Sequence, residues 1–211
     1  PYYLISHNSD ESVEEKDLEL IDDKIIHWFA MKLNIPFTSK ISPLPAGLEN
    51  ARFRNNGKVS NFQAAFNNEI IKTNKILSSF NPNTNFKERS PLINIAKKHT
   101  DIDVLHFEDR LEYLKQLSTF EFNLCPEGNN YESHRIWESL LFGTTPIVLK
   151  NNVNINFFNL GVPLLMINNW SELNELTFSD LKTMNKINAE KNYPDFVLYE
   201  FWENFIYSKF K

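Results

Sequence analysis

Short apolar runs separated by polar stretches predict the first elements of the chain. Strands are predicted at 2–6 and at 40–45, the second leaving through prolines. The apolar run at 25–30 lacks alternation and fits either a strand or a turn of buried helix. Residues 60–73 repeat apolar positions at threes and fours and predict a helix, whereas the basic segment at 51–57 predicts a loop. The residues that set the helical spacing are Phe62, Ala65, Phe66, Glu69 and Ile70.

From residue 75 onward, strand patterns and helix patterns alternate. The predicted strands are 75–80, 103–107, 120–124, 147–149 and 163–167. The predicted helices are 87–98, 110–118 and a segment from 133 to Gly143. Such alternation is typical of parallel βαβ units, so the chain is predicted to be an α/β protein with a Rossmann-like parallel sheet. The tail, 178–211, is helical in pattern and rich in aromatic residues.

Composition narrows the classes of function. The net charge of −5 speaks against a nucleic-acid-binding protein, because phosphate backbones require a concentrated basic surface. The single cysteine, Cys125, excludes an internal disulfide and a cysteine-based zinc site. No apolar run approaches the roughly 20 residues of a membrane span, so no transmembrane segment and a cytoplasmic location are expected. Because Pro1 leads directly into a strand pattern, we expect that sequence upstream has been removed.

A polar loop at 125–132 joins the strand at 120–124 to the next helix. In that helix Ile136, Trp137, Leu140 and Leu141 share one side, which we expect to face the sheet. His134, Arg135, Glu138 and Ser139 share the other side, which we expect to face the crevice where open α/β sheets bind ligands.

Three residues of this segment predict a nucleotide-like ligand. Ser133 is a candidate N-cap, and free backbone N–H groups at a helix start favour an anion such as a phosphate. Arg135 would add a positive charge, and Glu138 is placed to accept hydrogen bonds from a ribose diol.

Plainer interpretations of the same residues stay open. Arg135 and Glu138 are three residues apart and could form a surface ion pair. His134 could be structural or solvated. Cys125 fits a small buried hydrophobic residue better than a reactive thiol, because nothing basic lies near it in sequence.

The stretch FNLCPEG at 122–128, followed by SHRIWESL at 133–140, Gly143 and PIVL at 146–149, resembles the donor-binding signature of exostosin-like glycosyltransferases. It is also similar in layout to the α1,3-fucosyltransferases. The resemblance implies a GT-B fold, in which two Rossmann-like halves meet and the second holds most of the sugar nucleotide. It also implies transfer with inversion at the anomeric carbon and without a metal ion or other cofactor.

The same resemblance implies roles for individual residues. Glu138 takes the ribose, and Ser133, His134 and Arg135 take the pyrophosphate side. Arg89 is similar in position to a basic residue that contacts the diphosphate; its alternative is an ordinary surface arginine on a helix.

Segments 5–10 and 43–50 resemble parts of the acceptor half in bacterial and viral members of this group. The resemblance therefore divides the chain into an acceptor-side half at 1–73, a donor-binding domain at 74–185, and a C-terminal helix at 186–211 that braces the first half. Because 73 residues are fewer than such a half usually needs, we expect it to be reduced or truncated.

An inverting transfer needs a base for the acceptor hydroxyl and a positive environment for the departing diphosphate. The candidate bases are Asp10 and His7, expected across the cleft, and Glu127 on the donor loop; each could also be an ordinary solvated residue. The predicted partners are a nucleotide-sugar donor, with a UDP-sugar favoured, and a glycan acceptor. The alternatives are a GDP-fucose-type transferase, a non-catalytic nucleotide-sugar-binding module, and an unrelated α/β protein that uses the 125–138 loop to bind another protein.

Overall fold

The computed structural model, which describes residues 1–53, 55–66 and 70–210, contains two parallel β-sheets. The first sheet has the order β1-β2-β3. Its strands are β1 (Tyr2–Ser6), β2 (Ile25–Met31) and β3 (Ile41–Leu44). The apolar run at 25–30 is therefore a strand, and its lack of alternation follows from burial of nearly every side chain on both faces.

The second sheet holds five strands within the described residues, in the order β5-β4-β6-β7-β8, and all its pairings are parallel. These strands are β4 (Thr73–Ser78), β5 (Ile102–Val104), β6 (Phe120–Leu124), β7 (Thr145–Leu149) and β8 (Leu165–Ile167).

Helices connect and cover the strands. They are α1 (Val59–Phe66), α2 (Phe86–Ala96), α3 (Arg110–Thr119), α4 (His134–Leu141), α5 (Asn152–Asn159), α6 (Phe178–Met184) and α7 (Tyr199–Tyr207). Parallel strands joined by crossover helices confirm the prediction of an α/β, Rossmann-like architecture.

The second sheet is buried on both faces. Neighbouring residues of β4 show this, since Ile76 packs with α2 and α6 on one face while Leu77 packs with α1 and α3 on the other. The same holds in β7, where Ile147 joins the first face and Val148 packs against α4 and α5. Because helices cover both faces of this sheet, a ligand can reach it at the ends of its strands.

The helix predicted at 60–73 is wrong at its C-terminal end. α1 ends at Phe66, Glu69 lies outside the described residues, and Ile70 is not helical. By Thr73 the chain already pairs with β6 at Phe120. Strand pairing from Thr73 onward thus replaces the end of the helix that the apolar spacing predicts, while Ile70 stays exposed.

The helix α5 has no counterpart in the sequence prediction. Two of its buried positions are asparagines, Asn154 and Asn156, which interrupt the apolar repeat. The Asn156 amide donates to the carbonyls of Leu33 (2.9 Å) and Ile35 (2.8 Å) and accepts from the Phe37 N–H (3.2 Å). A buried amide with these partners ties α5 to the loop that precedes β3.

The C-terminal helix α7 contacts elements that belong to both sheets. Trp202 lies edge-on to Trp137 of α4, with ring centroids 5.9 Å apart, and to Phe157 of α5, at 6.0 Å. Phe205 lies edge-on to Phe29 of β2, at 6.3 Å. The division of the chain at residues 73 and 185 stays a prediction. Within the described ranges, none of the helices combines the length and apolar character needed to cross a bilayer.

Candidate active site

The order of the second sheet defines where a ligand can bind. The chain passes from β4 to β5 on one side and then returns to β6 on the other, so the connections diverge between β4 and β6. Open α/β sheets bind ligands in the crevice at the carboxyl ends of strands at such a switch point. The loops that leave this edge are 79–85, after β4, and 125–133, after β6.

Loops of the first sheet face this edge. The Asn130 side chain donates to the carbonyl oxygen of Asp10 (2.8 Å) and accepts from the Ser12 hydroxyl (3.0 Å). Between the two loops lies a cleft of about 380 Å³. The carboxyl ends of β1 and β6 therefore border one site.

Two of the three candidate bases line this cleft. Asp10 and Glu127 approach it from opposite sheets, and Glu11 and Glu14 also line it, with Lys16 as the accompanying cation. The cleft is therefore acidic and suits hydroxyl groups better than a diphosphate. His7 lies elsewhere, because its exposed ring donates from Nε2 to the Pro45 carbonyl oxygen at 2.9 Å.

Arg89 is buried beneath the 125–128 loop. Its guanidinium donates to the carbonyl oxygens of Glu127 (2.7 Å), Asn81 (2.9 Å) and Pro126 (3.3 Å). The interpretation of Arg89 as a surface arginine is wrong, since the residue is only 3% exposed. Arg89 joins the loops after β4 and β6 across the switch point; its contact with a diphosphate stays a prediction.

The Glu127 carboxyl is partly buried at the edge of the cleft. Burial raises the pKa of Glu127, and the nearby charge of Glu88 raises it further. A hydrogen bond from Asn151 lowers this pKa, but its effect is smaller. The Asn151 amide donates to Glu127 Oε1 at 3.0 Å. A carboxyl group with a raised pKa is a better proton acceptor near neutral pH than an ordinary surface glutamate.

Ser133 occupies the N-cap position of α4, as the sequence predicts. Its side chain, however, makes no capping hydrogen bond to the backbone of the first turn. The Ser133 hydroxyl and Arg135 Nε are both buried, and neither has a hydrogen-bond partner among the residues that the structure describes. Buried donors without partners cost free energy, unless a ligand accepts from them. This helix start therefore offers two side-chain donors together with free backbone N–H groups.

Glu138 is buried and turned towards α3. It forms an ion pair with Arg110, and the Tyr113 hydroxyl donates to its Oε2 at 3.1 Å. The interpretation of Arg135 and Glu138 as a surface ion pair is therefore wrong, because Glu138 is buried and its ion partner is Arg110. Glu138, Arg110 and Tyr113 thus form one network between α3 and α4.

A segment that follows β3, here called the 45–49 strap, crosses the start of α4. His134 donates from Nδ1 to the Gly47 carbonyl oxygen at 2.7 Å, and its Nε2 lies 3.6 Å from Glu49. Gly47 has a positive φ of 67°, which residues other than glycine rarely adopt. His134, expected on the pyrophosphate side, therefore holds the strap in this structure.

Glu132 fixes the same strap from below. Its Oε1 accepts from the Ala46 N–H at 2.7 Å and from the Trp137 indole N–H at 2.5 Å. Its Oε2 is buried and has no partner within the described part of the chain. Burial raises the pKa of Glu132 to about 7.

Sequence reasoning missed four residues that shape the site: Glu88, Arg110, Tyr113 and Glu132. Arg110 directly follows the N-cap residue Asp109, whose side chain accepts from the Glu112 N–H, so the start of α3 could be read from the sequence. Its pairing with Glu138 could not, because 28 residues separate the two.

The Asp-x-Asp triplet at 101–103 is a further group of possible cation ligands. Asp101 accepts from the Phe178 N–H at 2.9 Å, and Asp103 lies 3.6 Å from Lys75. The triplet lies at the start of β5, whereas the cleft lies at the carboxyl ends of the strands. Its two carboxylates therefore serve contacts outside the cleft.

We expect the Cys125 thiol to be inert in the folded protein. It is buried, and burial raises its pKa to about 12, which leaves almost no thiolate near neutral pH. A thiol reagent at pH 8 should label the native chain at least about tenfold more slowly than the unfolded chain. Ser208→Cys, which places a thiol at an exposed position, is the positive control. Equally rapid labelling of Cys125 in the native chain would contradict the expectation.

One comparison with known proteins identifies a family. The family model of the RXYLT1 C-terminal domain matches residues 59–210, which include the whole second sheet, α2 to α7, and the Arg89 and 125–138 segments. No curated protein matches the chain. Residues 1–58, with Asp10 and His7, lie outside the match. Because the match covers most of its length, the chain belongs to the RXYLT1 C-terminal domain family and is a member of a glycosyltransferase family.

Proposed function

We propose that the protein transfers a sugar from a nucleotide-sugar donor to a glycan hydroxyl, with inversion and without a metal ion. A UDP-sugar is the favoured donor, and the proposed arrangement is the exostosin-like GT-B one. The proposal rests on one observation: two sites that differ in charge lie together at the switch point. One is an acidic cleft with Asp10 and Glu127, and the other is a helix start whose buried donors have no partner among the described residues.

In this proposal the diphosphate binds at the start of α4. The Ser133 hydroxyl and the Arg135 Nε–H would donate to it, together with the free backbone N–H groups of the first turn. His134 lies beside them and would reach the ligand when the 45–49 strap moves. Arg89 supports this site by fixing the 125–128 loop, and its positive charge favours the departing diphosphate.

The acceptor hydroxyl would enter the acidic cleft. Glu127 or Asp10 would take its proton as the new glycosidic bond forms and the bond from the anomeric carbon to the phosphate oxygen breaks. Carboxylates and amides hydrogen-bond the hydroxyl groups of sugars, whereas carboxylates repel phosphate. The difference in charge between the cleft and the helix start thus supports placing acceptor and donor apart.

The first experiment is a thermal-shift series with UDP, GDP, CMP and their common sugar conjugates, with and without EDTA. A ligand at about 100 times its Kd should stabilise the chain by about 2.7 kcal/mol, or roughly 5–10 °C for a chain of this size. A shift with UDP that EDTA leaves unchanged supports the proposal. A shift with GDP alone favours the fucosyltransferase-type alternative, and no shift with any nucleotide contradicts a donor site at α4.

We predict that Glu138→Gln weakens nucleotide binding by about 10- to 100-fold, because hydrogen bonds to charged groups contribute about 1.5–3 kcal/mol. The glutamine keeps the shape of the side chain and one oxygen acceptor for Arg110 and Tyr113, so the fold should survive. Isothermal titration with UDP measures the effect, and Glu175→Gln, at an exposed position, is the matched control. Unchanged affinity would remove Glu138 from the ribose site.

Turnover separates an enzyme from a binding module. We expect release of the nucleoside diphosphate when a UDP-sugar and a neutral glycan acceptor are mixed with the protein. Nucleotide binding without any consumption of donor would favour the non-catalytic alternative instead.

A further inference from the structure

The 45–49 strap is tied to the start of α4 by two neighbouring hydrogen bonds. The Ala46 N–H donates to Glu132 Oε1 at 2.7 Å, and the Gly47 carbonyl oxygen accepts from His134 Nδ1 at 2.7 Å. Each bond joins a side chain to the backbone of the strap, and neither belongs to a strand pairing of the two sheets. The strap can therefore exchange these bonds for others without disturbing either sheet.

Both ring nitrogens of His134 face oxygen atoms of the strap. Nδ1 donates to the Gly47 carbonyl oxygen, and Nε2 lies 3.6 Å from the Oε2 atom of Glu49. The other oxygen of Glu49 accepts from the Asn50 N–H at 2.8 Å, which orients the carboxylate. The phosphate oxygens of a diphosphate are acceptors of the same kind, and they also carry negative charge. The strap thus presents to His134 the chemistry that a donor diphosphate would present.

The donors that flank His134 along the chain remain unsatisfied by the strap. The Ser133 hydroxyl and Arg135 Nε are buried and have no hydrogen-bond partner within the described part of the chain. Buried donors without partners cost free energy, which a ligand with acceptor oxygens recovers. A diphosphate carries more such oxygens than the strap brings to this helix start, so it would satisfy donors that the strap leaves open.

We propose that the strap is a lid that competes with the donor for the start of α4, with the Gly47 carbonyl and the Glu49 carboxylate in place of phosphate oxygens on His134. This inference rests on the proposed function, since the competing ligand is the donor diphosphate. Leu48 packs against the apolar cores beside α4 and favours the closed strap. The measured Kd equals the intrinsic Kd divided by the fraction of molecules with an open strap. Any change that weakens the closed strap alone should therefore tighten nucleotide binding.

Gly47→Ala tests the lid through the backbone. Gly47 has a φ of 67°, and a Cβ atom added there meets nothing within 4 Å, so alanine strains the closed strap without a steric clash. The left-handed conformation should lower the population of the closed strap about 5- to 30-fold. We expect UDP to bind tighter by the same factor in isothermal titration. Gly161→Ala, at another positive φ (93°), is the matched control and should bind UDP like the wild type.

Glu49→Gln tests the same lid through charge. The glutamine keeps an oxygen for the Asn50 N–H but removes the negative charge beside His134. We expect UDP to bind about two- to fivefold tighter, the range for a partly exposed ion pair. Removal of a negative charge near an anion site can itself favour UDP, whereas Gly47→Ala changes no charge. Weaker or unchanged binding in Gly47→Ala would therefore overturn the lid, whatever the result for Glu49→Gln.

Hydrogen exchange of the peptide that contains the strap, measured by mass spectrometry, separates failure of the lid from failure of the proposed function. Without nucleotide, the strap should exchange faster in Gly47→Ala than in the wild type or in Gly161→Ala. Saturation of the wild type with UDP should also speed exchange of the strap and slow exchange at the start of α4. Faster exchange in Gly47→Ala with an unchanged UDP affinity would overturn the lid and leave the donor site in place.

If Gly47→Ala does not fold, the wild type and Glu49→Gln decide the question. Strap exchange that stays unchanged when the wild type is saturated with UDP would overturn the lid, as would an unchanged UDP affinity in Glu49→Gln. If neither a nucleotide nor inorganic pyrophosphate binds to the wild type or to an open variant, the donor site at α4, and with it the proposed function, is refuted instead.

Discussion

Arg89→Ala should destabilise the protein by about 3 kcal/mol, because it removes the donor for three backbone carbonyl groups at once. Two of these carbonyls, of Pro126 and Glu127, lie in the loop that borders the cleft, and the third, of Asn81, lies in the loop after β4. At roughly 2–4 °C per kcal/mol for a chain of this length, the melting temperature should fall by about 6–12 °C.

The Arg89→Ala substitution should weaken nucleotide binding as well as lower the stability of the fold. Without the guanidinium, the 125–128 loop is no longer joined to the loop after β4, so nucleotide affinity should fall along with stability. Arg89→Lys should recover only part of either, because a compact ammonium group cannot span three carbonyl oxygens in different directions. Chemical denaturation and isothermal titration with UDP measure the two effects.

Lys87→Ala is the matched control, since it removes a cation from the same helix at an exposed position. We expect its stability to stay within about 0.5 kcal/mol of the wild-type value. If Arg89→Ala were as stable as Lys87→Ala, the three carbonyl contacts would not hold the loop, and the connection across the switch point would have to be assigned to other residues.

From residue 75 onward the sequence predicts the order of the strands and each helix between them except α5, and so the edge of the sheet at which the site lies. Alternating patterns from residue 75 onward predicted parallel βαβ units, and parallel strands put all their carboxyl ends on one edge. Asp10 and Glu127 each come soon after a strand, β1 and β6, and the structure brings both to one cleft. Strand direction places each residue at the carboxyl edge of its own sheet, and the tertiary structure brings the two edges to one cleft.

The sequence did not predict which side chains contact one another across different elements. Spacing within α4 suggested that Arg135 would meet Glu138, yet the buried Glu138 pairs with Arg110 on α3, because α3 covers the face on which Glu138 lies. Arg89 looked like any polar residue on an amphipathic helix, but the loop after β6 folds over it. Such pairings depend on how two distant elements pack, and no periodicity along one element contains that information.

The helix α5 shows a related limit. Its buried Asn156 is satisfied by backbone groups more than a hundred residues away, so the position looks solvent-facing in sequence although it is buried in the structure. A polar residue enters a core when its hydrogen bonds are all met there, and only the tertiary structure supplies those partners.

Glu132 should make the stability of the protein depend on pH. Burial raises its pKa to about 7 in the folded chain, against 4.5 for an ordinary glutamate. Between these two values the folded chain retains a proton on Glu132 that the unfolded chain has lost. Stability must therefore fall as pH rises through this window, by up to roughly 3 kcal/mol, and then level off above pH 7.

Glu132→Gln isolates this contribution, because the glutamine does not titrate and keeps an oxygen for the Ala46 N–H and the Trp137 indole. Other groups titrate in the same range. Burial lowers the pKa of His27, so His27 makes stability rise with pH below about 6.5, opposite in sign to Glu132. These contributions are common to both proteins and cancel in the difference between them.

We therefore expect the free energy of unfolding of wild type, relative to Glu132→Gln, to decrease by about 2–3 kcal/mol between pH 5 and pH 8. Urea denaturation at each pH unit measures it, with Glu175→Gln as the variant that should follow the wild-type curve. A constant difference across this range would mean that Glu132 is ionised throughout. If the difference does change with pH, the 45–49 strap is held most firmly when Glu132 is protonated. The start of α4, where the donor diphosphate is proposed to bind, would then open more readily as the pH rises towards 7.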